Sequence, residues 1–101
     1  MNNPGMIKQL MQMQKELKKT QKELEQEIVT GSGGNGAVDI MLTGTQQFHG
    51  IKIDPDRMKN ASAADMEKLV GAALKDALAK SRKLMADKLG PLGGGLPGLK
   101  S

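Results

Sequence analysis

Three glycines, Gly31, Gly33 and Gly36, stand at the spacing of a dinucleotide-binding fingerprint, and Asp54 follows at about the distance where such a motif places its ribose-binding acid. That chemistry needs more than spacing, because the last glycine must open a helix whose N-terminus receives the pyrophosphate. Here Ala37-Val38-Asp39-Ile40-Met41-Leu42-Thr43 follows, and its strict alternation predicts a strand. The glycines are therefore read as a flexible hairpin turn. His49 is the only histidine and could join Asp54 and Asp56 around a metal, but the set lacks recognised ligand spacing and Asp-Pro-Asp is ordinary turn chemistry. As a general base His49 has no evident nucleophile or buried carboxylate to work with. Ser32, Ser62 and Ser81 lack the strand-turn-helix setting of a hydrolase nucleophile. With no cysteine, a thiolate nucleophile, a thiolate metal site and a disulfide are all excluded. No catalytic, cofactor-binding or metal-binding residue is expected, and no small-molecule substrate.

The remaining residues with chemistry to offer are cations. Between Lys8 and Lys22 the chain carries Lys8, Lys15, Lys18, Lys19 and Lys22 against Glu16 alone. Between Lys75 and Lys88 it carries Lys75, Lys80, Arg82, Lys83 and Lys88 against Asp76 and Asp87. Acidic residues elsewhere, Glu23, Glu25 and Glu27 among them, bring the net charge back to +4. Lysines decorate many solvated helices, and late basic residues complement a helix dipole. The same residues would bind phosphates by counterion release, with steep salt dependence and little base readout.

The elements that would position these cations follow from spacing. Pro4 to Glu27 is rich in helix formers, with Asn3 placed to cap and Pro4 suited to the first turn. Met6, Leu10, Met13, Leu17, Thr20 and Leu24 recur four and three apart, as in a heptad seam, while Lys8, Lys15 and Lys22 stand seven apart on the opposite side. Ile28-Val29-Thr30 opens a strand, and Gly31-Ser32-Gly33-Gly34-Asn35-Gly36 reads as turn. In the next strand Val38, Ile40 and Leu42 share one face. Phe48-His49-Gly50-Ile51-Lys52-Ile53 alternates again, with Ile51 and Ile53 expected inward. Short connections between these strands predict an antiparallel meander. Pro55 to Ala61 reads as a connector, and Ser62-Ala63-Ala64-Asp65 as a capping box opening a second helix that runs to about Leu89. The fold class is α+β: long helix, three-stranded antiparallel meander, long helix, in a single domain over residues 1–89. From Gly90 to Ser101 the chain is rich in glycine and proline and is expected to be a disordered tail.

A chain of 101 residues with one Phe and no Trp or Tyr has little core to build, and its eight Met make that core adaptable. A helix over Pro4–Glu27 is about 36 Å long, whereas a six-residue strand spans about 20 Å, so the helix overhangs its sheet. The second helix is expected to cover the seam over most of its length, and a second copy to cover the sheet region and its edges. A homodimer is therefore expected. No run reaches the roughly 18 apolar residues of a membrane span, and no signal peptide is evident, so the expected compartment is the cytoplasm, with no membrane partner.

Four stretches in this order carry a resemblance. They are Met6-Ile7-Lys8-Gln9-Leu10-Met11-Gln12-Met13-Gln14, Val29-Thr30-Gly31, Ile51-Lys52-Ile53-Asp54-Pro55 and Leu69-Val70-Gly71-Ala72-Ala73-Leu74-Lys75-Asp76-Ala77. Together they resemble the YbaB/EbfC family of bacterial nucleoid-associated proteins. The resemblance implies a tweezers-shaped homodimer that binds DNA through its two helices and alters nucleoid organisation. It directs attention to Lys15, Lys18, Lys19 and Lys22 on the first helix and Lys80, Arg82 and Lys83 on the second, with Lys8 and Lys75 in the same basic segments. With a single Phe the chain offers no aromatic platform for stacking successive bases, so duplex contacts are favoured over single strands. The competing expectation is a coiled-coil-like interaction module, an adaptor or holdase, that engages proteins through its Met-rich seam.

Overall fold

The computed structural model describes residues 3–92. Helix α1 spans Pro4–Gln26, strands β1, β2 and β3 span Ile28–Gly33, Val38–Thr43 and Phe48–Ile53, a one-turn helix α2 spans Pro55–Met58, and helix α3 spans Ala63–Leu89. The expected helix, meander, helix order is present, and the strands form one antiparallel sheet in the order β1-β2-β3. Both long helices start as their sequences dictate. The Asn3 side chain accepts from the Gly5 amide, and Ser62 and Asp65 close a reciprocal capping box.

Val38, Ile40 and Leu42 are buried together with Ala73, Ala77, Ala37 and Met58. Burying each of the three β2 side chains is worth about 1.5–3 kcal/mol relative to exposure. This small core sits where α3 crosses β1 and β2. Met58 enters it from α2, which lies inside the segment expected to be a plain connector. The Asp54 carboxylate accepts from the Asp56 and Arg57 amides at 3.0 and 3.3 Å, and Pro55 stands at the first position, which is enough to seed a turn of helix.

Three expectations change. Gly31, Ser32 and Gly33 are strand rather than turn: they pair with Ile40, Asp39 and Val38, and the turn is confined to Gly34–Ala37. Their missing side chains serve contact with α3. A Cβ on Gly31 would collide with the backbone of Ala73 and Ala77, and one on Gly33 with the Leu69 carbonyl. The facing residues Ala73, Ala77 and Ser81 are small, buried and four apart, so helix and strand approach closely. Ile51 and Ile53 oppose Ile40 and Val38 in register, so they lie on the expected face, yet they are 46% and 41% exposed. Helix α3 lies over β1 and β2 and leaves β3 uncovered. Finally, α3 does not cover the α1 seam over most of its length, because most of α3 is used on the sheet. Within α1 only Thr20 and Leu24 are buried, and Met6, Leu10 and Met13 are exposed.

The two helices run antiparallel where they meet. Lys88 Nζ near the end of α3 reaches Glu23 and Glu27 at 3.4 and 2.9 Å. The 3₁₀ turn Gly90–Leu92, expected as the start of a disordered tail, instead closes α3 beside α1. The rest of that expected tail, residues 93–101, lies outside the described residues. The first half of α1 projects beyond the sheet, and the molecule measures 70 × 22 × 16 Å.

The free edge of β1 is blocked by α3. Asp76 Oδ2 accepts from the Ser32 amide at 3.0 Å, and Lys80 Nζ donates to the Thr30 carbonyl at 3.0 Å while pairing with Asp76 at 3.1 Å. The Ser32 amide first, and then the Lys80 ammonium, hold the Asp76 carboxyl below the usual carboxylate range. A carboxyl depressed in the fold contributes stability that is present above its unfolded pKa and is lost as pH falls through the folded value. Asp76→Asn should therefore flatten the acid limb of a plot of thermal midpoint against pH; a parallel shift of the whole curve would contradict this assignment.

Candidate nucleic-acid interface

At 100° per residue, Lys8, Lys15, Lys18, Lys19 and Lys22 fall within about 100° of arc on α1. Their arc lies opposite the seam formed by Met6, Leu10, Met13, Leu17, Thr20 and Leu24. All five are exposed, and none takes part in an ion pair among the described residues. Lys15, Lys18, Lys19 and Lys22 line a shallow depression along the helix surface together with Gln21 and Glu25. The seam turns the face: burial of Thr20 and Leu24 fixes the rotation of α1, and the lysines point to solvent as a result.

The second basic segment is less uniform. Lys75, Lys80, Arg82 and Lys83 are all exposed on α3, but Lys80 is engaged at the β1 edge, and Lys83 pairs with Asp87 at 3.5 Å. Lys75 and Arg82 lie seven apart on the face away from the buried Ala73-Ala77-Ser81 stripe. Lys68, seven residues before Lys75 and exposed, continues that row. Counting charge by segment overlooks it, whereas the seven-residue spacing that aligns Lys8, Lys15 and Lys22 is the signal that finds it.

Although the helices run antiparallel where they meet, the two basic segments do not lie side by side. They are instead in tandem. Lys80 reaches Thr30 in β1 and Lys88 reaches Glu23 and Glu27, so Lys75–Lys83 lies over the sheet while Lys8–Lys22 lies on the projecting half of α1. Between the two segments stand Glu23, Glu25 and Glu27, and Lys88 offsets part of that acidity. The Glu27 carboxylate first, and then Glu23, raise the Lys88 pKa above the ordinary lysine value. Its contribution is therefore complete below that value and is lost only as pH rises through the raised one. Among the described residues no group of three or more His, Cys, Asp or Glu could hold a metal ion. None of their helices is long and apolar enough to cross a membrane.

A family model described as the YbaB/EbfC DNA-binding family matches residues 1–96. A "Nucleoid-associated protein" of Dictyoglomus turgidum is 40% identical over 98 residues, covering 96% of this chain and 94% of the relative. Proteins with the same name from Nitrobacter winogradskyi and Rhodococcus opacus are 41% and 39% identical, covering 94% and 93% of this chain and 92% and 88% of the relatives. The crystal structure of an uncharacterized protein, HP0035, from Helicobacter pylori superposes with a TM-score of 0.74 at 20% identity, over 92% of this chain and 99% of that one. That last likeness concerns the fold alone. On the strength of the family match and these relatives, the chain belongs to the YbaB/EbfC DNA-binding family.

Proposed function

We propose that this protein is a nucleoid-associated DNA-binding protein that engages duplex DNA as a homodimer, largely through phosphates, and organises DNA in the nucleoid. The observation that carries this is the lysine face of α1: five ammonium groups, unpaired among the described residues, on one side of a helix that projects from the fold. From Lys8 to Lys22 the face is about 21 Å long, which is the length over which a duplex presents about a dozen phosphate charges. Lys75, Arg82 and Lys83 of α3 supply further positive charge, and Lys68 extends their row. The family description and the names of the relatives support the DNA-binding, nucleoid-associated part of this reading. Flexible lysines on a helix face match phosphate rows better than base edges, so binding is expected to be weakly selective for sequence. An anisotropy titration with several unrelated duplexes tests this. Comparable affinities that weaken steeply with salt are expected, and absence of binding at low salt would end the DNA assignment.

The dimer is proposed through β3. The β1 edge is closed by Asp76 and Lys80, whereas β3 has no strand beyond it among the described residues and presents Phe48, 66% exposed, with Ile51 and Ile53 on the same face. An open edge beside an apolar strip is a pairing surface, and a twofold pairing would hide both at once. Ile51→Ser with Ile53→Ser should convert the dimer to a monomer in sedimentation velocity; a wild-type chain that sediments as a monomer removes this part of the proposal. One observation favours the rival protein-interaction module, namely the exposed seam at Met6, Leu10 and Met13. The duplex titration separates the two.

A further inference from the structure

The projecting half of α1 has two unlike sides. One carries the lysines; on the other, Met6, Leu10 and Met13 are 59%, 54% and 49% exposed and Leu17 is half-buried. At 100° per residue no lysine falls within about 100° of the centre of this seam. Its borders are Ile7, Gln14 and Gln21 on one side and Gln9, Glu16 and Glu23 on the other. Residues at such border positions decide which partner a helical seam accepts. Before Thr20 the only charge among them is Glu16. The seam is also separate from the β3 face, because it occupies the part of α1 that projects past the sheet.

We propose that this free seam pairs antiparallel with the same seam of a second copy, Leu10 of one against Met13 of the other and Met6 against Leu17. The direction follows from the fold. Thr20 and Leu24 continue the seam and are buried against the rest of the protomer, so that body stands on the seam side of α1. Two parallel arms would drive both bodies into one space. An antiparallel copy occupies only the free length: Pro4 of one helix lies level with Lys19 of the other, just short of Thr20. The overlap is about 24 Å long. Its borders match as well, since Ile7 then lies near Gln14 and Glu16 near Gln9, and no like charges meet.

The strength of the pairing follows from its size. Met6, Leu10, Met13 and Leu17 of both copies bury roughly 500–900 Å² in all, below the about 1,200 Å² at which stable interfaces begin. One pair of arms is therefore a weak, concentration-dependent contact. The two lysine faces point outward, about 20 Å apart, which exceeds a Debye length of about 8 Å at physiological salt. Their repulsion is felt only at low salt, so salt strengthens the pairing, the reverse of its effect on duplex binding. A paired set of arms offers a lysine face on each side and so links two duplexes; this last step alone rests on the DNA reading above.

Sedimentation equilibrium of the full-length protein without DNA tests the pairing. Between about 0.01 and 1 M salt the Debye length falls from about 30 to 3 Å, and association beyond the β3 dimer should strengthen. Leu10→Gln with Met13→Gln should abolish it; both side chains are exposed, so the fold is kept. The same loss is expected when the pair of changes is added to Ile51→Ser with Ile53→Ser, which separates the seam from β3. Wild-type protein with no such association, or a seam variant that associates equally, would overturn the proposal. The chain has no cysteine, so introduced thiols report the register. Oxidising a mixture of Leu10→Cys and Met13→Cys proteins should give mixed disulfides in excess of either homotypic one, and a homotypic excess contradicts the antiparallel register. For the last step, an immobilised duplex should retain a free duplex through the wild type and lose it with the seam variant, at unchanged affinity for a single duplex. Equal retention by both refutes the link. The sedimentation result stands whether or not DNA is bound, so a failure of the DNA reading is told apart from a failure of the pairing.

Discussion

Substituting Lys15, Lys18, Lys19 and Lys22 together by Gln should lower duplex affinity and make its salt dependence shallower. Each lysine–phosphate pairing that is abolished takes about 0.9 off the slope of log affinity against log salt, so abolishing four takes off about 3.6. A slope difference of that size corresponds to about 150-fold over a fourfold change in salt. Wild type and variant should therefore differ most at low salt and converge as salt is raised. The variant should fold normally, because the four side chains are exposed and none forms an ion pair among the described residues. Glutamine also keeps the helix propensity of α1 close to that of lysine. Equal slopes for the two proteins would show that the α1 face is not where phosphates sit, and would turn attention to the Lys68, Lys75 and Arg82 row. Lys80→Gln is a useful contrast. It should alter stability more than DNA affinity, since Lys80 Nζ is occupied by the Thr30 carbonyl and Asp76.

The second large effect concerns one methyl group. Gly31→Ala places a Cβ against the backbone of Ala73 and Ala77, and neither a strand paired on its other side nor a capped helix can yield by a side-chain rotation. Overpacking of this kind costs about 3 kcal/mol. For a domain of this size that lowers the thermal midpoint by about 12–24 °C. Gly71→Ala should have the opposite sign. It lies in α3 with nothing within 4 Å of its would-be Cβ, so the change removes a flexible residue from a helix and should stabilise by about 0.5–1 kcal/mol. Thermal melts of the two variants read the contrast directly. A Gly31→Ala protein that melts with the wild type would mean that α3 does not pack as closely on β1 as the structure describes.

The same glycines show where sequence patterns stop being informative. The alternation of Val38, Ile40 and Leu42, the seam of α1 and the capping box at Ser62 and Asp65 are all legible, because each is a local pattern with a local cause. Gly31 and Gly33 read as turn in the sequence because their role depends on Ala73 and Ala77, which are distant in sequence and unspecified by it. Alternation puts Ile51 and Ile53 on the correct face, yet their exposure depends on where α3 lies across a three-stranded sheet. Periodicity carries no information about that. Lys80 illustrates the same limit for the site. Counted as a cation it belongs with Arg82 and Lys83, but the Thr30 carbonyl and the Ser32–Asp76 hydrogen bond make it part of the barrier on the β1 edge. The α1 lysines are legible because nothing distant among the described residues competes for them.

The projecting half of α1 has a thermodynamic consequence of its own. With its seam exposed among the described residues, its helicity draws little from packing there and rests largely on intrinsic propensity, which for a segment of this length in water is marginal. Lys15, Lys18, Lys19 and Lys22 are also mutual neighbours at three- and four-residue spacing, and like charges so placed oppose helix formation. A polyanion laid along them relieves that repulsion. Under the proposed mode of binding, duplex and arm are coupled: the nucleic acid is the counter-charge that completes the helix, and the heat of association is expected to include the heat of a coil-to-helix transition within the protein.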